Sequence, residues 1–317
     1  MPDLKTSTKP VVLIAGPTAS GKSSMAMDVA EEFDGQIINA DSMQVYKELR
    51  IVTARPSEAD EARLPHKMYG MISVAQSWSV GQWQAMAVEE IAACHAAGKL
   101  PVVTGGTGLY FKALMEGLAD IPVADPEIRQ NLTARLDKEG CEVLHEELKK
   151  VDAITAERIF PTDTQRLLRA LEIYQSTGRS QSDWIADGNQ GVPDDLRFLP
   201  LILQPPREQL YEKINQRFGA MVKEGALEEV RALSKLGLDP SLPAMKAVGV
   251  RELLAYEAGE CSLEQSIAKA QKISRNYAKR QLTWFRNQIP EGKSYFAQYS
   301  ESLRPEIFAF IRQFVLT

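Results

Sequence analysis

Residues 16–23 read GPTASGKS and follow the apolar run VVLIA. This pattern is typical of a phosphate loop: glycines allow a tight turn whose amides converge on phosphate oxygens, the lysine adds positive charge, and the final hydroxyl can ligate Mg²⁺. The predicted phosphate ligands are Gly16, Pro17, Thr18, Ala19, Ser20, Gly21, Lys22 and Ser23, with Ser23 as the metal ligand. ATP is the usual occupant of such a loop, but the pattern indicates only a polyphosphate or diphosphate.

A carboxylate follows the second apolar run of the chain. Asp41 lies in NADSMQVY (39–46), at the end of QIINA (36–40), where it can ligate Mg²⁺ or act as a general base. The alternative is a simple helix N-cap. Ser42 and Gln44 supply neutral donors and acceptors beside it, which suit recognition of the edge of a base.

A glycine-rich segment follows the third apolar run. TGGTGLYFKALMEGL (104–118) allows close backbone approach, and Thr107 offers a hydroxyl, although a glycine turn that only packs a helix has the same pattern. No Asp or Glu ends this run, where many ATP hydrolases place a metal-binding carboxylate. The absence argues against an ordinary ATPase.

The sequence also predicts the strands and helices that position these residues. Apolar, β-branched runs at 11–15, 36–40, 101–105 and 197–203 are each followed by a helix-like stretch. This alternation predicts an α/β fold, a P-loop NTPase-like parallel sheet flanked by helices, with ligands at the carboxyl ends of the strands. We expect a core of residues 10–120 and 195–289, an all-helical inserted subdomain at 121–194 and a helical tail at 290–317.

Composition narrows the class of protein. The 317 residues have a net charge of −5 and contain no run of about 20 apolar residues that could cross a bilayer. Three cysteines and three histidines are scattered, so neither a disulfide framework nor a metal cluster is indicated. No signal-peptide pattern opens the chain, and we expect a cytoplasmic monomer without a membrane partner.

Charge is unevenly distributed despite the acidic total. Residues 269–288 contain six basic side chains and no acidic one. Such a local patch can bind a polyanion, although a solvated helical face has the same composition.

Further motifs extend the pattern over nearly the whole chain. With GPTASGKS, DSMQVY and GGTGLYFKALMEGL, the segments DPEIR, DTQRLLRALEIY, PAMKAVGVREL and YAKRQLTWFR resemble the tRNA dimethylallyltransferases, also called tRNA isopentenyltransferases. The resemblance implies Mg²⁺-dependent transfer of a dimethylallyl group from dimethylallyl diphosphate to the N6 amino group of an adenosine in tRNA. That adenosine lies 3′-adjacent to the anticodon in tRNAs reading UNN codons, and the helical insertion would bind the anticodon stem-loop.

The resemblance also implies residue roles. Asp41 would be the general base, while Lys22, Thr107 and Arg217 would complete the catalytic set around the departing diphosphate. Without the family context, Arg217 reads as a surface ion pair. The implied tRNA contacts are Asp41, Ser42, Met43, Gln44, Thr107, Arg129, Gln165, Arg166, Leu167, Leu168, Arg169, Lys246, Ala247, Val248, Gly249, Val250, Arg251, Lys279 and Arg280. Gln44 would read the adenine edge.

Three segments depart from the family pattern. RIVTARP (50–56), PHKMYG (65–70) and GVRE (249–252) stand where DIGTAKP-like, PHH-like and GYRE stretches are common in the family. These differences bear on the shape of the tRNA-facing loop.

Three other functions stay open. The alternatives are prenyl transfer to free adenine nucleotides, a P-loop small-molecule kinase with Arg166 and Arg169 in its lid, and a non-enzymatic tRNA-binding protein.

Overall fold

A computed structural model describes residues 8–316 and has a parallel sheet at its centre. In this part of the chain the sheet has six strands: β1 (Lys9–Ala15), β2 (Gly35–Asn39), β3 (His66–Lys67), β4 (Leu100–Gly105), β5 (Leu196–Leu203) and β6 (Lys293–Tyr295). Their order is β3-β2-β4-β1-β5-β6, and each neighbouring pair is parallel. The predicted α/β class is confirmed.

Helices cover the sheet and form a separate block in the middle of the chain. They are α1 (Lys22–Glu32), α2 (Glu58–Arg63), α3 (Val80–Ala96), α4 (Gly108–Glu116), α5 (Pro126–Glu139), α6 (Cys141–Val151), α7 (Ala153–Arg158), α8 (Thr164–Thr177), α9 (Gln181–Ala186), α10 (Arg207–Lys223), α11 (Ala226–Ser234), α12 (Val250–Glu257), α13 (Leu263–Gln288) and α14 (Arg304–Leu316). Contacts within the chain define one unit of residues 1–115 and 192–317, and a second unit of residues 116–191.

The first unit is layered around β1. Alternate residues of a strand point to opposite faces, so Leu13 packs in one hydrophobic cluster and Ile14 in another. The first cluster includes Trp83 of α3 and Phe285 of α13, and the second includes Met25 of α1. Because both faces are covered, the central strands are continuous apolar runs, which is why they could be found in the sequence.

The second unit is helical and has its own core. Leucines from α5, α6 and α8 (Leu132, Leu144, Leu148, Leu167 and Leu171) are fully buried against one another. Aspartates cap the first turns of α5 and α8: Asp125 accepts a hydrogen bond from the Glu127 amide, and Asp163 accepts one from the Arg166 amide. Within residues 116–191, all of which the structure describes, no strand joins the sheet.

The expectation of a purely helical tail is wrong in one respect. Residues 293–295 form β6, which pairs with β5, before the chain enters α14. β6 consists only of Lys, Ser and Tyr, so it is too short to show the alternation of polar and apolar residues that predicts a strand. Only its backbone pairing with β5 identifies it.

None of the helices within residues 8–316 combines the length and apolar character needed to cross a membrane.

Candidate active site

The phosphate loop joins β1 to α1, where the sequence predicts it. Ala19 and Gly21 have φ angles of 63° and 88°, and the Ser20 amide donates to the Pro17 carbonyl at 3.2 Å. A side chain at Gly16 would place its Cβ 2.8 Å from Ser20 Oγ and 3.1 Å from the Leu203 carbonyl oxygen. A side chain at Gly16 would therefore crowd Ser20 and the end of β5.

Asp41 is held at the carboxyl end of β2. The side chain of Asn39 accepts a hydrogen bond from the Asp41 amide at 2.8 Å and donates one to the Asp41 carbonyl at 3.0 Å. One carboxylate oxygen of Asp41 accepts from the Met43 amide at 3.0 Å. This is a local Asx turn, since the next helix begins only at Glu58, so Asp41 does not cap a helix.

Thr107 connects the loop after β4 to the loop after β2. Its Oγ1 accepts a hydrogen bond from the Ser42 amide at 2.9 Å and donates to Ser42 Oγ at 3.2 Å. A Cβ at Gly105 would lie 2.1 Å from the Ala40 backbone, so only glycine permits the two loops to meet. The glycine-rich segment thus does more than pack a helix.

Two polar residues of α13, beyond those predicted from the sequence, complete the site. Gln281 is buried; its Oε1 accepts from the Thr18 amide at 3.0 Å and its Nε2 donates to the Gly106 carbonyl at 2.8 Å. Tyr277 lines the same cavity as Thr18 and Asp41. Burial, helped by the charge of Asp41, raises the pKa of the Tyr277 phenol above its usual range. The available signal was an uncharged i, i+4 pair inside the basic helix.

A cavity of about 90 Å³ connects the phosphate loop to an apolar wall. Its polar part is formed by Thr18, Asp41, Thr53, Arg217, Ser274 and Tyr277, and its apolar part by Ala19, Met43, Val52, Ile214, Phe218, Met221, Ala247 and Val248. A second cavity, of about 340 Å³, lies on the other side of the loop, where Lys22, Ser23, Lys213 and Arg217 are among its lining residues. The loop therefore borders both an apolar and a cationic space.

Two cations concentrate positive charge at the loop. Burial lowers the pKa of Lys22 to about 8, with Asp41 raising it and Arg217 lowering it. Burial also lowers the pKa of Arg217, whose Nη1 donates to Thr18 Oγ1 at 3.4 Å. Two partly desolvated cations beside the N-terminus of α1 make an anion site, because a bound anion would offset their mutual repulsion.

Gln44 has less freedom than the base-reading role assumes. Its side-chain nitrogen donates to the carbonyls of Thr53 and Ala54, both at 2.9 Å. Those bonds anchor the RIVTARP segment, whose first three amides (Arg50, Ile51 and Val52) donate to the Glu229 carboxylate. Only the side-chain oxygen of Gln44 is left to accept from an adenine.

The implied RNA contacts in the first unit divide into exposed and buried groups. The exposed group consists of Lys246, Arg251, Lys279 and Arg280. Val248 lines the 90 Å³ cavity, and Gly249 follows it in the chain. Ser42 and Met43 are half-buried beside Asp41. Ala247 and Val250 are buried in the hydrophobic cluster around Phe218. Their side chains are therefore covered by apolar neighbours, and the predicted contact of Ala247 and Val250 with RNA stays a prediction.

In the second unit, an acidic side chain organises the arginines. Arg169 Nη1 lies 3.0 Å from a Glu172 carboxylate oxygen, and Arg129 Nη1 lies 3.8 Å from the same oxygen. Arg166 is 72% exposed and pairs with Asp163 at 3.1 Å, and Gln165 is exposed beside it. Leu167 and Leu168 are buried in the core of this unit, so their side chains are covered, and their contact with RNA stays a prediction. At about 100° per residue, Leu167 lies about 200° around the helix from Gln165, and Leu168 lies about 200° from Arg166.

A metal would have few protein ligands at this site. In the described part of the chain, no group of three or more His, Cys, Asp or Glu residues could hold an ion. The Ser23 hydroxyl is exposed and lines the cationic cavity. Mg²⁺ commonly binds through one or two protein oxygens together with substrate phosphates and water, so Ser23 fits a substrate-bridged ion.

The sheet, the loop at its carboxyl edge and the facing carboxylate define a P-loop protein of the group-transfer type, in which an anion site adjoins an apolar cavity. Residues 44–288 match the model of the IPP transferase family, and residues 9–69 match that of isopentenyl transferase. The chain belongs to the IPP transferase family, whose curated members include the tRNA dimethylallyltransferases.

Individual relatives extend over almost the full chain. The tRNA dimethylallyltransferase of Rhodospirillum centenum is 51% identical over 288 residues, 91% of this chain and 92% of that protein. The solved tRNA isopentenylpyrophosphate transferase of Bacillus halodurans is 34% identical, with a TM-score of 0.70 and coverage of 97% of both chains. A eukaryotic dimethylallyltransferase described as acting on tRNA is 28% identical, with a TM-score of 0.76, over 91% of this chain and 73% of that one.

Proposed function

We propose that this protein transfers a dimethylallyl group from dimethylallyl diphosphate to the N6 amino group of the adenosine 3′-adjacent to the anticodon in tRNAs reading UNN codons, releasing diphosphate. The observation that carries the proposal is one cavity with Asp41, Thr18 and Arg217 at its polar end and Phe218 and Met221 in its apolar wall. A diphosphate head and a branched five-carbon tail match that division. The names of the family's curated members support the same reaction.

Charge stabilisation at the phosphate loop drives the proposed reaction. As the carbon–oxygen bond of the donor breaks, its electron pair leaves with the diphosphate, and negative charge grows there. Loop amides, Lys22 and Arg217 are in place to stabilise that charge before the reaction begins. Apolar contacts with Phe218 and Met221 orient the dimethylallyl carbon and exclude water.

Asp41 accepts the proton in this mechanism. The adenosine nitrogen attacks the allylic carbon, the carbon–nitrogen bond forms, and one N6 proton passes to the Asp41 carboxylate. Asn39 and the Met43 amide hold that carboxylate in place. Thr107, fixed by Ser42, lies within the same hydrogen-bonded group and contacts the base or a diphosphate oxygen. A positioned base contributes about 10²–10⁴-fold to rate.

Mg²⁺ is the proposed cofactor. Ser23 and the diphosphate oxygens would hold it in the cationic cavity. When bound, the ion supplies charge neutralisation for the leaving group. Lys22 and Arg217 supply the remaining positive charge from the protein itself.

tRNA is the proposed acceptor, and two surfaces suit it. The exposed basic residues of α13, including Lys279 and Arg280, form one of them. Arg166, Arg169 and Arg129 of the helical unit form the other, and this unit is proposed to bind the anticodon stem-loop. The adenosine must leave its stack to react, at a cost of a few kcal/mol. We propose a cytoplasmic location, in keeping with a tRNA acceptor, and a monomer stays our prediction.

The alternatives explain less of the molecule. A small-molecule kinase has no use for the apolar wall around Phe218. Transfer to free adenine nucleotides leaves the helical unit at 116–191 without a role. A non-enzymatic RNA-binding protein does not require the desolvated pair of Lys22 and Arg217.

One assay separates these functions. The protein is incubated with Mg²⁺, radiolabelled dimethylallyl diphosphate and one acceptor: unmodified tRNA, AMP or ATP. We expect label in tRNA alone, at the adenosine next to the anticodon. Label in AMP or ATP would favour the free-nucleotide reaction, and absence of label from every acceptor would overturn the proposed function.

A further inference from the structure

The chain returns to the phosphate loop after β6, beyond every motif of the sequence analysis. Gln298 Nε2 donates a hydrogen bond to the Ala19 carbonyl at 3.0 Å. The Tyr299 backbone amide donates one to the Ser20 carbonyl at 3.2 Å. Both acceptors lie in the middle of GPTASGKS, so a segment about 280 residues away in sequence contacts the loop directly.

The same segment is attached to the helix that follows the loop. Arg304 donates to both carboxylate oxygens of Asp28, from Nε at 2.8 Å and from Nη2 at 3.0 Å. The Tyr299 hydroxyl donates to the same carboxylate. Only 13% of the Asp28 side chain is exposed. We call residues 298–304 the C-terminal strap, because they bridge the loop and α1.

The loop conformation explains why such a strap is useful. Ala19 has a φ of 63°, which a residue with a side chain adopts at a cost of about 1 kcal/mol or more. A trans peptide points its N–H opposite to its C=O, so holding the Ser20 carbonyl on the strap aims the Gly21 amide to the other side. A Cβ at Gly21 would lie 2.8 Å from Tyr299 Cβ, which shows how closely the strap packs.

Gln298 also reaches the proposed ligand space. It lines the cationic cavity together with Lys22, Ser23 and Arg217. Its side-chain oxygen is buried and has no hydrogen-bond partner among the described residues. Buried polar atoms are normally satisfied, so the contents of the cavity, such as water ordered around a bound anion, would supply the partner.

We infer that the C-terminal strap is a positioning element of the transfer reaction: Gln298 and Tyr299 hold the phosphate loop in its anion-binding conformation, and Arg304 anchors them to α1 through Asp28. The inference rests on the proposed binding of diphosphate at this loop. None of the three residues needs to contact a reacting atom. Their effect is on how well the loop is formed before the ligand arrives.

The test uses the full-length protein with three variants, Gln298→Met, Tyr299→Phe and Arg304→Met. We expect each to raise the Kd for inorganic diphosphate, measured calorimetrically with Mg²⁺, by about fivefold, the value of one hydrogen bond. KM for dimethylallyl diphosphate should rise equally at nearly constant kcat, because the interaction is made in both ground and transition states. Arg304→Lys, which keeps a cation beside Asp28, should recover part of the loss.

A matched control lies on the same helix. Arg312 of α14 pairs with Glu32 of α1, as Arg304 pairs with Asp28, but this pair is exposed and away from the loop. Arg312→Met should leave the Kd for diphosphate unchanged. A merely structural role for the strap would lower Tm and the active fraction while leaving KM and Kd as in the wild type, and that outcome overturns the inference.

The proposed function and the strap can fail separately. Unchanged Kd in all three strap variants, with normal diphosphate binding by the wild type, overturns the strap alone. A wild-type protein that does not bind diphosphate overturns both. Elevated Kd in the strap variants, with an unchanged Arg312→Met protein, supports the inference.

Discussion

The side chain of Gln281 accepts a hydrogen bond from the backbone amide of Thr18 at 3.0 Å, across 263 residues of sequence. The same side chain donates to the Gly106 carbonyl at 2.8 Å. One buried amide on α13 therefore sets the separation between the phosphate loop and the loop that carries Thr107. Asp41 lies beside the second of these loops, because a Cβ added at Gly106 would be 3.5 Å from Asp41 Oδ2.

Replacing Gln281 by leucine removes both hydrogen bonds at nearly constant volume. A buried amide and carbonyl are then left unsatisfied, at about 1–3 kcal/mol each. We expect Tm to fall and kcat to fall at least tenfold, because small displacements of reacting groups cost up to about 10²-fold. Gln271→Leu is the control, since Gln271 lies on the same helix but donates to the Asn215 carbonyl. Equal kcat in the two variants would contradict the bridging role.

Asp41→Asn tests the base without disturbing the turn. Asparagine can still accept from the Met43 amide, as Asp41 does at 3.0 Å, but it cannot take a proton. We expect kcat to fall by about 10²–10⁴-fold while tRNA affinity stays within about twofold. Single-turnover rates and filter binding measure the two quantities. Asp34→Asn, at an exposed pair with Lys99, is the control. A variant of Asp41 with wild-type turnover would exclude it as the base.

Sequence patterns identified the sheet because its central strands are buried on both faces. Val11–Ala15 and Val102–Val103 are apolar runs for that reason. Strand β3 has two residues and β6 has three, and each is defined by its pairing with β2 or β5. Such pairing between distant segments leaves no pattern in the local sequence. Sequence could therefore predict the fold class but not the full width of the sheet.

The site was predictable where its residues follow one another in sequence. The phosphate loop and Asp41 come directly after strands, so topology alone brings them to one edge. Gln281 and Gln298 come from elements distant in sequence, and their roles depend on tertiary contacts with backbone atoms. Backbone acceptors have no sequence signature, which is why these residues were missed.

The length of the prenyl chain that the protein accepts from its diphosphate donor should depend on the apolar wall of the cavity. Phe218 and Met221 line the cavity and are 4% and 8% exposed, so they close its apolar end. Met221→Ala shortens one side chain there, and we expect detectable transfer from geranyl diphosphate, with a higher KM for the five-carbon donor. Competition between the two donors, followed by mass spectrometry of the tRNA product, measures the ratio.

The control for this prediction is a methionine in a different hydrophobic cluster of the same unit. Met25→Ala removes the same volume from the cluster that packs on α1, away from the apolar wall. Both substitutions should cost about 2–5 kcal/mol of stability. Only Met221→Ala should change the donor ratio, and an unchanged ratio would place the limit on chain length elsewhere.

RNA binding by the helical unit should show in the salt dependence. Arg166 is 72% exposed, so its guanidinium is available to a phosphate. Arg166→Ala should weaken tRNA binding and reduce the slope of log K against log salt by about 0.7–0.9. Arg135 is the control, because it is held between Glu139 and Glu147. Parallel salt slopes for wild type and the Arg166 variant would indicate that Arg166 does not contact a phosphate.

Stability of the helical unit should depend on pH through Asp152. Its carboxylate accepts from the Thr155 amide and the Ser182 amide, both at 3.0 Å, and so joins the starts of α7 and α9. Burial alone would raise the pKa of Asp152, but these hydrogen bonds outweigh it and hold the pKa below its usual value.

The sign of the effect follows from that direction. A carboxyl group with a lowered folded-state pKa stabilises the protein above its unfolded pKa, near 3.9, and loses that contribution as pH falls through the folded value. Asp152→Asn should therefore lower the free energy of unfolding by about 1–2 kcal/mol at pH 7. The difference in Tm between wild type and variant should shrink as pH falls below about 4. Asp137→Asn, at an exposed position of α5, should show no such difference, and a gap in Tm that stays constant down to pH 3 would exclude Asp152 as the titrating group.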